Sequence, residues 1–303
     1  MKGSRSLYEL TRLGEKTYYI DCPSRIGIYK INGTDVCLVD SGNSPDTGKK
    51  VLRICREQGW EITHIINTHA HADHVGGNAV IQNRTGCTIL ANERDLCQIN
   101  HPTLNNSYTF GARPVKELNN KFMLAEKSNA IQITKENIPA GISFEGYPGH
   151  AFDQIAVICD DGTVFTGDIL CGMDIIEKYH IFFIQDPDVY IESAKRICDT
   201  RAKVFCAAHY EPIYEKEELK YLAQYNISKI YEQFELIKKI CNDGKNFESV
   251  MKEMLDFYNL KLSFNQYAIA GSTIRGFLSC LHDKEEIDAC FEDNFLLWKT
   301  AKS

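Results

Sequence analysis

The sequence places three histidines and one aspartate within six positions, at His69, His71, Asp73 and His74. Imidazole nitrogens and carboxylate oxygens are common ligands of zinc and related metals. Four such side chains in one short turn are too close together for all of them to bind the same tetrahedral ion comfortably. A pair of neighbouring ions relieves this crowding, and such a pair needs roughly six or seven ligands, at least one of which bridges.

Three further candidate ligands lie later in the chain, each at the end of a predicted strand. They are His150 in the stretch YPGH, Asp168 in FTGD and His209 in FCAAH. Together with the local group they form a set of seven side chains, which is the number that a pair of ions requires. The sequence therefore predicts a metal site assembled from distant segments.

Strand and helix patterns alternate around these residues and predict a layered α/β body. The Asn32-Gly33 pair lies between two alternating apolar runs and predicts a tight hairpin. A continuous apolar strand at 62–66 ends just before His69. The other predicted strands are 18–20, 27–31, 36–39, 87–90, 131–134, 142–145, 154–158, 163–166 and 203–207, and the predicted helices are 45–59, 78–82, 93–99 and 190–202.

Residues 101–138 lack a clear period and are predicted to form a long loop or lid. Tyr108, Phe110 and Phe122 in this segment could line a substrate channel or could anchor the loop. Cys171 lies three residues past Asp168 and could approach the site, although a free cysteine is more often simply buried. The residues that bind substrate stay unidentified at this stage.

The pattern changes near residue 212, which predicts a catalytic domain at 1–212 and a C-terminal domain at 213–303. Helices are predicted at 214–243, 247–258 and 266–281, followed by a hairpin at 287–298, an order similar to a small winged-helix module. Residues 213–303 contain 12 Lys and Arg against 15 Asp and Glu, so the module is a poor phosphate binder. We expect it to pack against the pocket or to form a dimer contact.

The composition excludes several classes of protein. A net charge of −7 over 303 residues argues against general affinity for nucleic acid or anionic lipid. The first ten residues have no apolar run typical of a signal peptide, and no segment has the length of a membrane span, so a cytoplasmic location is expected. The 12 cysteines are scattered singly, which predicts reduced thiols and no disulfide framework.

The order H-x-H-x-D-H, then His, Asp and His, resembles the metallo-β-lactamase superfamily over roughly residues 7–212. The resemblance implies a four-layer αββα sandwich with two metal ions at one edge. It implies that His69, His71 and His150 bind one ion, that Asp73, His74 and His209 bind the other, and that Asp168 bridges them. The implied cofactors are two Zn²⁺ ions, although iron or manganese could occupy the same ligands.

The resemblance also implies roles for residues around the ions. A hydroxide between the ions would be the nucleophile, and Asp73 would orient it and carry its proton to the leaving group. Asp40 matches an aspartate that orders the ligand loop, although a simple turn role is equally compatible with its sequence. Gly76 and Gly77 would let the backbone pack closely behind the ligands.

Three functional hypotheses follow. The leading one is a zinc hydrolase that attacks an activated carbonyl in a small molecule, such as a thioester, lactone or other ester. The second is a metal-dependent RNase or phosphodiesterase whose C-terminal module grips RNA, which the negative charge disfavours. The third is a non-catalytic metal centre. Departures from the family beside His150, which is followed by AFDQ, and beside His209, which is followed by YEP, leave the substrate open.

Overall fold

The computed structural model describes residues 7–301 as two β-sheets, a terminal β-hairpin and ten α-helices. The strands are β1 (Glu9–Arg12), β2 (Thr17–Asp21), β3 (Ile26–Lys30), β4 (Asp35–Val39), β5 (Glu61–Ile66), β6 (Thr88–Ala91), β7 (Ala130–Gln132), β8 (Ile142–Gly146), β9 (Ile155–Cys159), β10 (Thr163–Gly167), β11 (Val204–Ala207), β12 (Ile287–Glu292) and β13 (Phe295–Thr300). The helices are α1 (Pro45–Glu57), α2 (Ala72–Val75), α3 (Asn78–Thr85), α4 (Glu93–Asn100), α5 (Thr103–Phe110), α6 (Met173–Tyr179), α7 (Pro187–Arg196), α8 (Lys216–Ile240), α9 (Phe247–Phe257) and α10 (Phe264–Asp283). Residues 1–6 and 302–303, which the predicted domains include, lie outside the described residues.

The two sheets form the middle layers of a four-layer αββα sandwich, as the family resemblance implied. The first sheet has the strand order β1-β2-β3-β4-β5-β6-β7 and the second has the order β11-β10-β9-β8. Side chains alternate between the two faces of each strand. Ile28 and Leu38 therefore pack in a core with the α1 residue Val51, whereas Tyr29 and Cys37 pack in a second core against the other sheet.

The direction of the strands explains why the candidate ligands share one edge. In the second sheet β8 and β10 are both antiparallel to β9, and β10 is parallel to β11, so β8, β10 and β11 run the same way. His150, Asp168 and His209 follow the ends of these three strands. In the first sheet β4 is parallel to β5, so Asp40 and the loop that begins at Asn67 also leave from a common edge.

The C-terminal helices are part of the main hydrophobic core of the protein. One continuous core combines Val164 and Phe205 of the second sheet with Ile230 of α8 and Phe277 of α10. Burying each such side chain contributes on the order of 1.5–3 kcal/mol. The predicted packing role of this segment is confirmed, while the domain boundary after residue 212 and the winged-helix likeness stay predictions.

Most predicted elements are confirmed, with ends shifted by a few residues. The Asn32-Gly33 hairpin joins β3 and β4, and the terminal hairpin is β12 and β13.

The prediction that residues 101–138 form a loop was wrong in part, because α5 lies within it. Its residues, TLNNSYTF, have low helix propensity, but Asn106 is buried and its amide donates to the Leu118 carbonyl at 2.9 Å. Strand β1 and helix α6 were not predicted.

All 12 cysteines lie within the described residues and are free thiols in this structure. Within residues 7–301, none of the helices combines the length and the apolar character needed to cross a membrane.

The close packing behind the ligand loop gives a test of the fold. A Cβ atom at Gly77 would overlap the Ser41 carbonyl oxygen, whereas a Cβ at Gly33 would meet no atom within 4 Å. We expect Gly77→Ala to lower the free energy of unfolding by about 1–3 kcal/mol, because the backbone must shift. Gly33→Ala is the matched control and should stay within about 1 kcal/mol of the wild type. Urea unfolding measures both values, and equal stability of the two variants would contradict this packing.

Candidate metal centre

The loop of residues 67–77, called the ligand loop below, is organised by one buried aspartate. The Asp40 carboxylate accepts hydrogen bonds from the Thr68 backbone N–H and the Thr68 hydroxyl, both at 2.8 Å, and from His74 Nδ1, also at 2.8 Å. Asp40 is 3% exposed and has a φ of +62°, a left-handed conformation that costs free energy in a residue other than glycine. These contacts favour the ordering role for Asp40 over a simple turn role.

Three histidine nitrogens meet at one point of the site. His69 Nε2 and His150 Nε2 each lie 2.9 Å from His71 Nδ1. The outer nitrogen of His150, Nδ1, faces the Phe183 carbonyl oxygen at 2.9 Å. Since a carbonyl only accepts, Nδ1 must carry the proton, and the inner Nε2 of the neutral ring presents its lone pair. This first group has the donor type and convergence that a transition metal ion requires.

A second group lies beside the first and contains Asp73, His74 and His209. The Asp73 Oδ2 atom lies 3.1 Å from His209 Nε2 and 3.6 Å from His74 Nε2. His209 Nδ1 donates to the Pro23 carbonyl oxygen at 3.1 Å, which aims its Nε2 inward. The Ser24 hydroxyl donates to Asp73 Oδ2 at 2.9 Å and so restrains that carboxylate.

Asp168 lies between the two groups. Its Oδ2 atom is 3.6 Å from His150 Nε2, 3.4 Å from His74 Nε2 and 3.5 Å from His209 Nε2. The structure therefore brings all seven predicted side chains together. The bridging role of Asp168, which the family resemblance implies, stays a prediction.

The histidine pKa values of the two groups shift in opposite directions, because burial dominates in the first group whereas the carboxylates dominate in the second. Burial and the neighbouring His150 lower the pKa of His71 to about 3, so this ring is neutral near pH 7. Burial also acts to lower the pKa of His209, but the carboxylates of Asp168 and Asp73 outweigh it and raise this pKa to about 10. A proton therefore occupies the second group whenever no metal cation neutralises its carboxylates.

The chemistry of the donors fits a pair of divalent cations. His74 Nε2 is fully buried and has no hydrogen-bond partner, which is costly unless a cation binds it. Three overlapping sets of ligand atoms each lie within 4.8 Å of one another: His69, His71 and His150; His69, His74 and Asp168; Asp73, His74 and His209. Imidazole and carboxylate donors suit zinc, iron and manganese alike.

A cavity of about 400 Å³ opens beside this cluster of seven side chains. Phe122 lines the cavity, as one interpretation of the sequence expected, and so does Cys171. Tyr108 instead contacts Phe152 at a ring-centroid distance of 4.7 Å, and Phe110 packs in a small separate core. Of the three aromatic candidates, only Phe122 has the channel position, and the other two anchor their segment.

Two side chains of the C-terminal helices support the site, and the sequence alone did not reveal either. The Thr273 hydroxyl of α10 donates to the Phe182 carbonyl oxygen at 3.0 Å and accepts the Ile184 N–H at 3.1 Å. Phe183, between them, supplies the carbonyl that orients His150. Asn226 of α8 bonds both the N–H and the carbonyl of Cys171, each at 2.9 Å, and so fixes the chain after Asp168. Both are polar residues on otherwise apolar helix faces, and this pattern could have identified them in the sequence.

Asp95 is a third supporting residue that was missed. It is 1% exposed, and its Oδ1 accepts the backbone N–H of Ala70, the residue between His69 and His71, at 3.0 Å. Burial raises the pKa of the Asp95 carboxyl to about 7. Asp95 lies in α4, which follows strand β6, and β6 pairs with β5, the strand that leads into the ligand loop. This position after a neighbouring strand could have identified Asp95 in the sequence.

Residues 20–209 match the metallo-beta-lactamase superfamily. The hydroxyacylglutathione hydrolase of Methylococcus capsulatus is 28% identical to this chain over 173 residues, which cover 55% of this chain and 56% of that protein. The hydroxyacylglutathione hydrolase of Rhodospirillum rubrum is 42% identical over 65 residues, which cover 22% of this chain and 24% of that protein. The chain thus matches between about a quarter and about half of the length of these curated relatives.

Solved structures share the fold at low sequence identity. A beta-lactamase domain protein from Burkholderia ambifaria has a TM-score of 0.73 at 14% identity, covering 99% of this chain and 96% of that one. A metallo-beta-lactamase family protein from Thermus thermophilus has a TM-score of 0.69 at 14% identity, covering 97% of this chain and 98% of that one. In both comparisons the shared fold extends over the C-terminal helices.

The hydrogen bonds of Asp40 give a test of the ligand loop. Asp40→Asn keeps the size of the side chain but replaces one carboxylate oxygen with an NH2 group, which cannot accept from His74 Nδ1 and the Thr68 hydroxyl as Oδ2 does. We expect the affinity for Zn²⁺ to fall by about 10–100-fold, the usual effect of losing such an outer contact. Competition with a chromophoric chelator measures this affinity. Asp288 is exposed, so Asp288→Asn is the control and should bind Zn²⁺ as tightly as the wild type does. If Asp40→Asn also binds Zn²⁺ as tightly as the wild type, Asp40 does not order the ligand loop.

The Thr273 bridge can be tested with a matched pair of substitutions. Thr273→Val removes the hydrogen bond that the hydroxyl donates to the Phe182 carbonyl and the one that it accepts from the Ile184 N–H. Thr85 lies away from the site, and Thr85→Val likewise removes one bond donated to the Ile81 carbonyl and one accepted from the Cys87 N–H. Thr273 is fully buried, so Thr273→Val should lower the free energy of unfolding by about 1–3 kcal/mol, whereas Thr85 is exposed and Thr85→Val should lower it by no more than about 1.5 kcal/mol. Only Thr273→Val should also weaken Zn²⁺ binding, by several-fold, because His150 loses its fixed orientation. Equal Zn²⁺ affinities would show that the bridge serves stability alone.

Proposed function

Because the chain belongs to the metallo-beta-lactamase superfamily, we propose that it is a metal-dependent hydrolase of a small molecule with an activated carbonyl, namely a thioester, lactone or other ester. The observation that carries the proposal is the convergence of five imidazole rings and the Asp73 carboxylate around the central Asp168. The curated relatives, which are named for hydrolysis of hydroxyacylglutathione, support an acyl substrate.

We assign the ligands by the two groups that the geometry forms. His69, His71 and His150 would bind one divalent cation, and Asp73, His74 and His209 would bind the other, with Asp168 between them. Zinc is the proposed metal, since it suits these donors and needs no redox partner. Bound there, the cations would supply a hydroxide nucleophile near neutral pH and polarise the substrate carbonyl.

The residues of the chain have separate tasks in this proposal. Asp73 lines the cavity, and its carboxylate is the group that we assign to accept a proton and pass it to the leaving group. Ser24, through its hydrogen bond to Asp73 Oδ2, keeps this carboxylate turned toward the cluster. Asp40 and the Phe183 and Pro23 carbonyls fix the proton on the outer nitrogen of His74, His150 and His209 respectively.

The other two hypotheses have less support. A closed structural metal site offers no free position, whereas Asp73, Asp168 and three of the histidines line a cavity. The described residues that line this cavity include no lysine or arginine to contact a phosphodiester. A cytoplasmic location and a homodimer stay predictions.

Metal content and activity test the proposal together. We expect purified protein to contain about two equivalents of zinc and to hydrolyse simple thioesters or esters. Asp73→Asn should lower kcat by about 100–10,000-fold, because the variant loses its proton-accepting carboxylate.

Dialysis against a chelator should abolish activity and lower the melting temperature, and added Zn²⁺ should restore both. Wild-type protein that binds two cations yet leaves a broad panel of thioesters, lactones and esters intact would refute the hydrolase assignment.

A further inference from the structure

The cavity beside the metal cluster has one charged wall, and its remaining lining is uncharged. That wall consists of side chains of the cluster, the carboxylates of Asp73 and Asp168 and the imidazoles of His71, His150 and His209. Most of the remaining lining comes from five parts of the chain: helix α5, the segment 122–123, the segment after β10 with helix α6, the segment 181–183, and helices α9 and α10. Substrate that reaches the cluster must therefore lie against these surfaces.

Apolar side chains dominate the part of the cavity lining that the cluster itself does not supply. Leu170, Ile175, Phe183, Leu255 and Ile269 are among them, and Phe182, Met123 and Ala270 continue the same surface. A cavity of about 400 Å³ lies within the range of ligand sites that enclose most of a small molecule. An apolar group inside it would leave water and gain free energy in proportion to the area it buries.

The polar groups of this part of the cavity are neutral. They belong to Asn105, Thr109, Cys171, Tyr179, Asn265 and Gln266, which can bond an amide, hydroxyl or carbonyl group but cannot neutralise an anion. No lysine or arginine is among the described residues of the lining. A carboxylate or phosphate in this space would lose its hydration without gaining a counter-ion, which is strongly unfavourable.

We propose that the natural substrate carries an uncharged apolar group, an alkyl chain or an aryl ring, directly beside its scissile carbonyl, and that this cavity binds that group. The inference rests on the proposed hydrolase function and adds the chemical class of the substrate to it. An acyl group joined to a charged peptide such as glutathione does not match this lining. Either side of the scissile bond could carry the apolar group, and the experiment below distinguishes the two.

Ile269 is the residue that we assign to contact this group from the C-terminal part of the chain. It lies on α10, it lines the cavity, and it is only partly buried by its neighbours Leu118 and Met123. Its remaining surface is therefore open to the cavity. A charge at this position would change the character of the cavity without altering any residue of the metal cluster.

The first arm of the test varies the apolar group. Thioesters of N-acetylcysteamine from acetyl to hexanoyl vary the acyl side, and acetate esters from methyl to hexyl vary the leaving side. In the series that corresponds to the natural orientation, kcat/KM should rise roughly fourfold for each added CH₂ until the cavity is full. The adipoyl thioester, which has a carboxylate in place of the terminal methyl group of hexanoyl, should be at least roughly tenfold slower than hexanoyl.

The second arm changes the cavity. Ile269→Lys should lower kcat/KM for the hexanoyl thioester and raise it for the adipoyl thioester, because the ammonium group pairs with the added carboxylate. Ile131→Lys is the control, since Ile131 is 51% exposed on β7 and does not line the cavity. Metal content shows whether each variant keeps its folded site, and the wild-type series decides the question if Ile269→Lys does not fold.

The outcomes separate this inference from the proposed function. Hydrolysis that is equally fast along both series, or faster for the adipoyl thioester or for S-lactoylglutathione than for hexanoyl, overturns the apolar cavity while the hydrolase assignment stands. If no substrate is hydrolysed, the hydrolase assignment fails, and binding of the neutral dye N-phenyl-1-naphthylamine decides the inference. If the dye binds saturably, and Ile269→Lys weakens this binding while Ile131→Lys leaves it unchanged, the apolar cavity is supported. Absence of saturable dye binding overturns the inference.

Discussion

The central constraint on this protein is electrostatic: nitrogens of five histidine rings and the oxygens of two aspartates face one another within a few ångströms. Such a cluster is unfavourable without protons or cations between its members. The buried His74 Nε2, which has no hydrogen-bond partner, shows the same demand at a single atom. The remainder of the fold supplies the free energy that keeps these groups together, chiefly through the apolar cores on both faces of the two sheets.

Orientation of the rings depends on a layer of hydrogen bonds outside the cluster. Asp40 and the carbonyls of Phe183 and Pro23 each fix the proton on an outer ring nitrogen, so the inner nitrogen is left as the donor to a cation. These partners lie on different elements, and Phe183 is itself fixed through the neighbouring backbone by Thr273 of the C-terminal helix α10. Stability of the C-terminal helices and geometry of the site are therefore linked through a short path of contacts.

The same C-terminal helices complete the cavity. Leu255 and Ile269 face the cluster across a space whose other walls come from the segment after β10 and from residues 181–183. Because the helices share one continuous core with the second sheet, this wall has a fixed position relative to the ligands. Under the proposed function, a change in these helices would alter the choice of substrate while the ligand set stays the same. One part of the chain would then supply the chemistry, and much of another part would select the substrate.

Sequence alone determined the candidate ligands and most of the strands. The four residues from His69 to His74 are close in the chain, and His150, Asp168 and His209 each follow a recognisable apolar strand, so local patterns were sufficient to find them. Tertiary structure decided the features that depend on residues far apart in the chain. Helix α5 forms from residues of low helix propensity because packing favours it, and Asp95, Asn226 and Thr273 gain their roles only through contacts with distant backbone. The uncharged part of the cavity lining is likewise not recognisable in the sequence, because it is gathered mostly from segments between residues 105 and 270, and no local pattern records which side chains will share a surface.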